Sequence, residues 1–181
     1  MLSALFASLT AVGALIRIPI PPVPITLQTA FVFLSGGLLG AGSGALSQCI
    51  YIGIGLLGIP VFSGGGGIGY IFDPRFGYLI GFPAAAFIIG LLTKQGLKTK
   101  FLSEHIFLLY TGAYTLGAGI IYCCGILYLL FYAEKLSMNI PAIIWSGFII
   151  FIPAEILKII AGAWLTVRLH RITVLSINKE A

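Results

Sequence analysis

Charge is what this sequence has least of. Among 181 residues only 8% are Asp, Glu, Lys or Arg, with five acidic and ten basic residues, against 59% hydrophobic residues and a mean hydropathy of +1.11. A soluble domain carries roughly 25% charged residues, so this chain has too few charges to cover a soluble surface. No polar stretch is long enough to form a separate soluble domain, which leaves a single membrane-embedded domain over residues 1–181. Cysteine is equally sparse. Cys49, Cys123 and Cys124 lie in apolar segments without the spacing of a zinc site, so they read as small hydrophobes. The sequence also lacks a GxxxxGK[ST] phosphate loop, a metal-ligand cluster, and any serine or cysteine with a plausible base. His105 and His170 have no sequence partner. These absences exclude ATP hydrolysis by the chain itself through that loop and argue against an enzyme, a cofactor or a bound metal. The net charge of +5 is scattered among apolar runs rather than gathered on a stripe, which argues against a nucleic-acid partner.

What the sequence does have is a series of apolar windows near the 20 residues a helix needs to cross a bilayer. Six are legible, at roughly 2–16, 26–42, 44–59, 76–93, 105–132 and 140–169. The expected fold class is an all-α integral membrane protein, a six-transmembrane-helix bundle with long external loops between helices 1 and 2 and between helices 3 and 4. No Lys or Arg precedes the first window, which argues against a signal peptide. The second and third windows are parted only by "GAGSG", a tight glycine-rich turn. Six spans put both termini on one side with six of the ten basic residues: Lys94, Lys98, Lys100, Arg168, Arg171 and Lys179. Arg17, Arg75 and Lys135 fall on the other side, so the positive-inside rule makes the termini cytoplasmic in a multi-pass cell-membrane protein.

Two unusual segments then lie outside. "RIPIPPVPITLQT" places Pro19, Pro21, Pro22 and Pro24 within six residues, which forbids helix and predicts a stiff, polyproline-like loop. "GIPVFSGGGGIGYIFDPRFGY" carries Gly64 to Gly67 in succession. Residues without side chains let backbone approach another group and offer bare N–H donors, which makes Gly65, Gly66 and Gly67 candidates for substrate binding.

The remaining anomaly is "FIPAEILKII", where Glu155 and Lys158 share one face of the last span just after Pro153. A buried charge costs several kcal/mol unless it is paired. Either the pair is a structural clasp between helices, or it is a polar site for a ligand, the default for ionisable residues at membrane depth. A carboxylate can accept two parallel N–H groups, and an ammonium can meet an oxygen. Gln28, at the start of the second span, offers an amide beside the proline loop. Tyr78, Phe76, Phe31, Phe151 and Trp145 are candidates for apolar walls. On the first span, Ala7 and Ala11 belong to a small-residue repeat that allows close helix packing, inside the bundle or against a partner.

These segments together resemble BioY, the substrate-binding membrane subunit of energy-coupling-factor biotin transporters. The resemblance runs over nearly the whole chain through "RIPIPPVPITLQT", "GLLGAGSGALS", "GLLGIPVFSGGGG", "FDPRFGYLIGF" and "FIPAEILK". It implies a six-helix protein that captures biotin from the outer side, with the two external loops closing over the vitamin. It also implies, as partners, the lipid bilayer, a transmembrane coupling subunit and two ATP-hydrolysing subunits. The last helix of the family typically reads P-G-D-x-x-K, whose acid and lysine contact biotin; here "PAEILK" places Glu155 at the acid and Lys158 at the lysine. Some members carry an asparagine where Gly66 stands. An alanine-xxx-alanine face on the first helix docks the coupling subunit in related transporters, and Ala7 and Ala11 match it. Three alternatives stay open: capture of another small vitamin-like substrate, a lipid-modifying membrane enzyme, and a scaffold whose Glu–Lys pair is purely adhesive.

Overall fold

The computed structural model describes residues 1–133 and 138–180, with side chains described up to residue 170. Glu134, Lys135 and Ser137 lie outside the described residues, as do the side chains of Arg171 and Lys179. The chain is mostly helical. Helix α1 spans Leu2–Leu15 and is followed by two short antiparallel strands, β1 (Arg17–Ile18) and β2 (Ile25–Thr26), paired Arg17 to Thr26 and Ile18 to Ile25. Helix α2 covers Gln28–Leu56, a 3-10 turn covers Ile68–Phe72, and α3 covers Phe76–Gly96. The short α4 (Lys100–Glu104) leads into α5 (Ile106–Phe131). Then come α6 (Ile140–Gly147), a 3-10 turn at Ile149–Phe151, and α7 (Ile152–Glu180).

Among the described residues, four helical stretches are long and apolar enough to cross a membrane: Gln28–Leu56, Phe76–Gly96, Ile106–Phe131 and Ile140–His170. The first of these is not one rod. In a continuous helix Gln28 and Tyr51 would stand about 34 Å apart at 1.5 Å per residue, yet their side chains are hydrogen-bonded at 2.7 Å. Gly44 likewise lies against Ser35 and Gly36. The chain reverses at Gly40, whose φ of 79° and ψ of 179° fall where glycine alone is comfortable. Helix α2 is therefore a helical hairpin, turning where the "GAGSG" segment predicts a turn.

The last span departs from a single helix over 140–169. Pro153 has no N–H for the carbonyl four residues earlier, and the helix breaks just before it, at Phe148, where φ is −139° and ψ −60°. The Phe151 N–H turns to the Phe148 carbonyl instead of the Gly147 carbonyl. Gly147 O is thereby free to accept from the Tyr78 hydroxyl at 2.8 Å. The proline segment also holds more structure than a bare loop. Its prolines fill the turn between β1 and β2, and Leu27 N–H ties the hairpin back to the carbonyls of Gly13 in α1 and of Ile16 just after it.

The burial pattern is that of a protein dissolved in hydrocarbon. Large apolar side chains such as Leu15, Phe87, Phe107, Leu116 and Trp164 face outward, while Thr10, Ser35, Ser47, Gln48 and Thr166 are fully buried. In water that arrangement would leave the apolar surface unfavourably exposed; against lipid it costs nothing.

Candidate substrate-binding site

A cavity of about 50 Å³ lies beneath the two loop segments. The α1–α2 connection contributes Val23, Pro24 and Thr26, and the segment before α3 contributes Ser63, Tyr70 and Arg75. The helices supply Gln28 and Thr29 from α2, Tyr78 from α3, Tyr122 from α5, Phe151 from the 3-10 turn, and Glu155 and Lys158 from α7. Side chains from distant parts of the chain thus converge because the loops fold over the end of the bundle where α2, α3 and α7 begin.

Glu155 and Lys158 do form a pair, 2.5 Å apart and both buried. The i,i+3 spacing on α7 places them on one face, but they are not alone there. Thr29 donates its hydroxyl to Glu155 Oε1 at 2.8 Å, and Tyr122 donates to the same oxygen at 2.8 Å. Lys158 Nζ donates to Glu155 Oε1, to Thr29 Oγ1 at 2.7 Å and to the Thr26 carbonyl at 3.1 Å. An ammonium has three donors, and each has an acceptor. Glu155 Oε2 has none. It is the one buried side-chain polar atom without a hydrogen-bond partner among the described residues. Leaving such an atom unpaired costs about 1–3 kcal/mol, more for a charged group, so Glu155 is short of a donor.

Gln28 and Tyr78 line the cavity and are held from behind. Gln28 donates to the Tyr51 hydroxyl and accepts from Thr26 Oγ1 at 2.8 Å, while Tyr51 donates onward to the Val61 carbonyl at 3.1 Å. The Tyr78 hydroxyl is occupied by Gly147 and its ring stands edge-on to Tyr122, with centroids 5.9 Å apart. Of the other expected aromatic walls, Phe151 lines the cavity and Phe31 and Phe76 do not; Trp145 faces outward with 61% exposure.

Gly65, Gly66 and Gly67 do not line the cavity. The group that their bare backbone approaches is the protein itself. Phe62 and Gly65 pair through two backbone hydrogen bonds, and Gly67 N–H donates to the Gly55 carbonyl at 2.7 Å. A Cβ on Gly66 would sit 2.3 Å from the Ile59 carbonyl oxygen, and one on Gly64 would sit 2.5 Å from the Arg75 guanidinium. Gly65 and Gly67 adopt positive φ. The run therefore shapes the turn that presents Ser63 to the cavity and lets Arg75 lie close.

Arg75 lines both this cavity and a shallower one between the proline segment and Asp73–Pro74, so it stands at their boundary. Its Nε and one terminal nitrogen reach Asp73 at 2.6 and 2.5 Å, and its guanidinium lies 5.5 Å from the Tyr70 ring centre. Burial raises the Asp73 pKa, but side-chain and backbone hydrogen bonds from Arg75 outweigh it and hold the carboxyl below its ordinary range. Burial pushes the Tyr70 hydroxyl up.

On α1, Ala7 is 3% exposed and belongs to the bundle core, while Ala11 is half-buried. Ala7 is thus turned inward, because the small-residue face of α1 packs toward Tyr51 and Val61; of the alanine pair, only Ala11 keeps an outward part.

The profile of the BioY family matches residues 1–174. The chain belongs to the BioY family. Its relatives include "Biotin transporter BioY" of Thermotoga maritima, 36% identical over 173 residues, covering 95% of each chain. "Probable biotin transporter BioY" of Lysinibacillus sphaericus is 45% identical over 177 residues, covering 93% of this chain and 85% of that one. A solved structure described as the S-component for biotin from an ECF-type ABC transporter is 28% identical, with a TM-score of 0.81 over 94% of this chain and 89% of that one. The BioY relatives are named as transporters, in keeping with the absence of catalytic groupings in the sequence.

Thr29, Tyr122, Thr26, Ser63 and Arg75 are among the cavity residues that reading along the chain does not single out. Thr29 follows Gln28 directly within the quoted proline motif, and Arg75 sits inside "FDPRFGY". Tyr122 carries no local signal.

Proposed function

We propose that the chain is the substrate-capture subunit of an energy-coupling-factor importer and that its substrate is biotin. The observation that carries this is Glu155 Oε2, buried without a partner, on a residue that lines the cavity together with Tyr70, Tyr78, Phe82, Tyr122 and Phe151. Biotin is a small apolar frame with ureido N–H donors at one end and a carboxylate at the other. A ureido N–H supplies the donor that Oε2 lacks, and the aromatic walls, Tyr78, Phe82 and Phe151, cover the rings. Lys158 neutralises Glu155, Gln28 borders the ring site, and Arg75 offers a cation to the valerate carboxylate. A purely adhesive Glu–Lys clasp would have closed both carboxylate oxygens, so the scaffold reading loses its support. The names of the relatives favour biotin over other vitamins.

In this reading the bundle crosses the membrane six times: α1, the two arms of α2, α3, α5, and α6 with α7. The cavity end faces outside. Helix α3, at 1.5 Å per residue, carries the chain about 30 Å from there to the lysines at 94–100, which then lie with both termini in the cytoplasm. The ATP-hydrolysing subunits and the coupling subunit are separate chains. The Ala11 side of α1 and its exposed Leu5 and Val12 offer the coupling subunit an apolar face.

Calorimetric titration of the detergent-solubilised protein with biotin tests the assignment, with unrelated vitamins as competitors. No heat and no retained radiolabelled biotin would refute it. For orientation, the exposed Ile68 is a labelling position on the cavity end. Ile68→Cys in intact cells should react with an impermeant thiol reagent and Thr99→Cys should not; the reverse pattern inverts the topology.

A further inference from the structure

We infer that the groove between α3, α4 and α5 is a binding site for an anionic phospholipid, with an acyl chain in the groove and its phosphate among Lys94, Lys98 and Lys100. The groove measures about 370 Å³ and lies at the end of α3 remote from the cavity that holds Glu155. Leu92, Leu102, Leu108 and Leu116 line it, and Gly112 on α5 leaves part of its wall without a side chain. A Cβ on Gly112 would meet nothing within 4 Å. Leu108 and Leu116 are 55% and 58% exposed, so the groove opens on the face of the bundle that lipid covers. Between those two leucines it follows α5 for about 12 Å, from the start of the helix toward the middle of the bilayer. That length suits the upper part of an acyl chain.

Shape alone accepts any lipid; charge selects one. Gln95 and Thr99 also line the groove, and their chain neighbours are Lys94, Lys98 and Lys100. All three lysines are exposed, and among the described residues none forms an ion pair; the ion pairs there are Arg75–Asp73 and Lys158–Glu155. Three lysines stand against one acid, Glu104, over residues 92–116. The exposed Phe101, its ring 4.8 Å from that of His105, belongs to the same segment, as suits an aromatic residue at headgroup level. A phosphate brings acceptors to lysine ammonium groups, an amide N–H and a threonine hydroxyl, all of which are donors. Basic grooves at the cytoplasmic ends of membrane helices recognise anionic headgroups in this way. A zwitterionic headgroup brings a cation of its own to lysines that already lack a counter-charge. An apolar protein segment would fill the groove and leave the lysines unpaired. The inference uses the membrane-spanning arrangement of the bundle and is independent of biotin.

The test adds equal amounts of phosphatidylglycerol and phosphatidylcholine, with matched acyl chains, to the delipidated full chain in detergent. Native mass spectrometry then counts the singly lipid-bound species. Wild type should retain phosphatidylglycerol over phosphatidylcholine by about fivefold or more, the attraction expected of a single lysine at an anionic surface. Replacing Lys94, Lys98 and Lys100 together by Gln should bring the ratio to about one. Gly112→Leu puts a side chain into the groove without a clash and should remove most of the phosphatidylglycerol adduct. Arg17→Gln, at the opposite end of the bundle, should leave the ratio as it is. Equal retention of the two lipids by wild type, or a ratio that survives loss of the three lysines, overturns the inference. So does an adduct untouched by Gly112→Leu; if that variant instead loses assembly with the coupling subunit or with a second copy, the groove belongs to a protein. Thermal unfolding checks that each variant is folded, and should the triple variant fail, Lys98→Gln with Gly112→Leu decides. Failure of wild type to bind biotin would refute the functional reading and leave this lipid site standing.

Discussion

The cluster around Gln48 and the cluster around Glu155 are made of similar parts. Each gathers hydroxyls from separate helical segments around one longer polar side chain, and each is buried. Around Gln48 the accounts balance. Its amide nitrogen reaches Ser47 Oγ at 2.9 Å and Ser35 Oγ at 3.1 Å. Those hydroxyls donate onward to the Gly44 and Val32 carbonyls of their own helix arms, and Thr10 donates to the Phe6 carbonyl. The cluster ties α1 to both arms of the α2 hairpin and asks nothing of a ligand. Around Glu155 the same kind of network closes on one oxygen only. The difference separates a structural polar cluster from a binding site: both bury polar groups, but only the second leaves one of them, Glu155 Oε2, without a partner, on a residue that lines a cavity.

The comparison breaks most visibly if the Glu155 network is stripped of its cation. Lys158→Met leaves a buried carboxylate without its counter-charge and should cost about 3–5 kcal/mol of stability in thermal unfolding. Adding Glu155→Gln should return most of that stability without returning biotin binding. A well-folded double variant with wild-type affinity would make the pair as purely structural as the Gln48 cluster.

Glu155→Gln alone keeps the shape and replaces half of the acceptor with a donor. Biotin affinity should fall about 10- to 100-fold in titration, or about 1.4–2.8 kcal/mol. Gln48→Leu is the matching change in the complete cluster. It should lower stability by about 1–2 kcal/mol as the hydrogen bonds to Ser35, Ser47 and Thr10 are lost, and leave biotin affinity unchanged. An equal loss of binding would mean that the two clusters are coupled.

The smallest effect concerns Asp73 and Arg75. The folded-state pKa of Asp73 is depressed, so the pair contributes stability above the unfolded carboxyl value near pH 4, and that contribution is lost as pH falls through the folded value. The partners are partly exposed, which limits the contribution to less than about 1 kcal/mol. Wild type should lose slightly more stability than Asp73→Asn between about pH 5 and pH 3, measured by thermal unfolding. Identical slopes would show that the pair does not help to hold the loop.

Local pattern makes much of this molecule legible. Apolar runs mark the helices, because a segment without charges has only lipid or the bundle core as surroundings, and "GAGSG" marks the reversal at Gly40. Glu155 and Lys158 stand out because ionisable groups in such a run need an explanation. The glycine run misleads. Bare backbone at 65–67 signals close approach, but sequence does not say to what, and the answer is the protein's own carbonyls and Arg75. Thr29 and Tyr122 pass unnoticed because a hydroxyl in a membrane helix usually satisfies a carbonyl of its own turn, as Thr93, Thr111 and Ser146 do here.

The sequence by itself determined that the chain lives in a membrane, where its helices run, and that one buried acid and one buried base share a helix face. These follow from composition and from the 3.6-residue period, both local. Only the tertiary structure decided which oxygen of Glu155 remains without a partner. That depends on Thr29 and Tyr122, 126 and 33 residues away along the chain. Hydrogen bonding is directional and short-ranged, so a free acceptor exists only once every neighbouring donor has been placed in space.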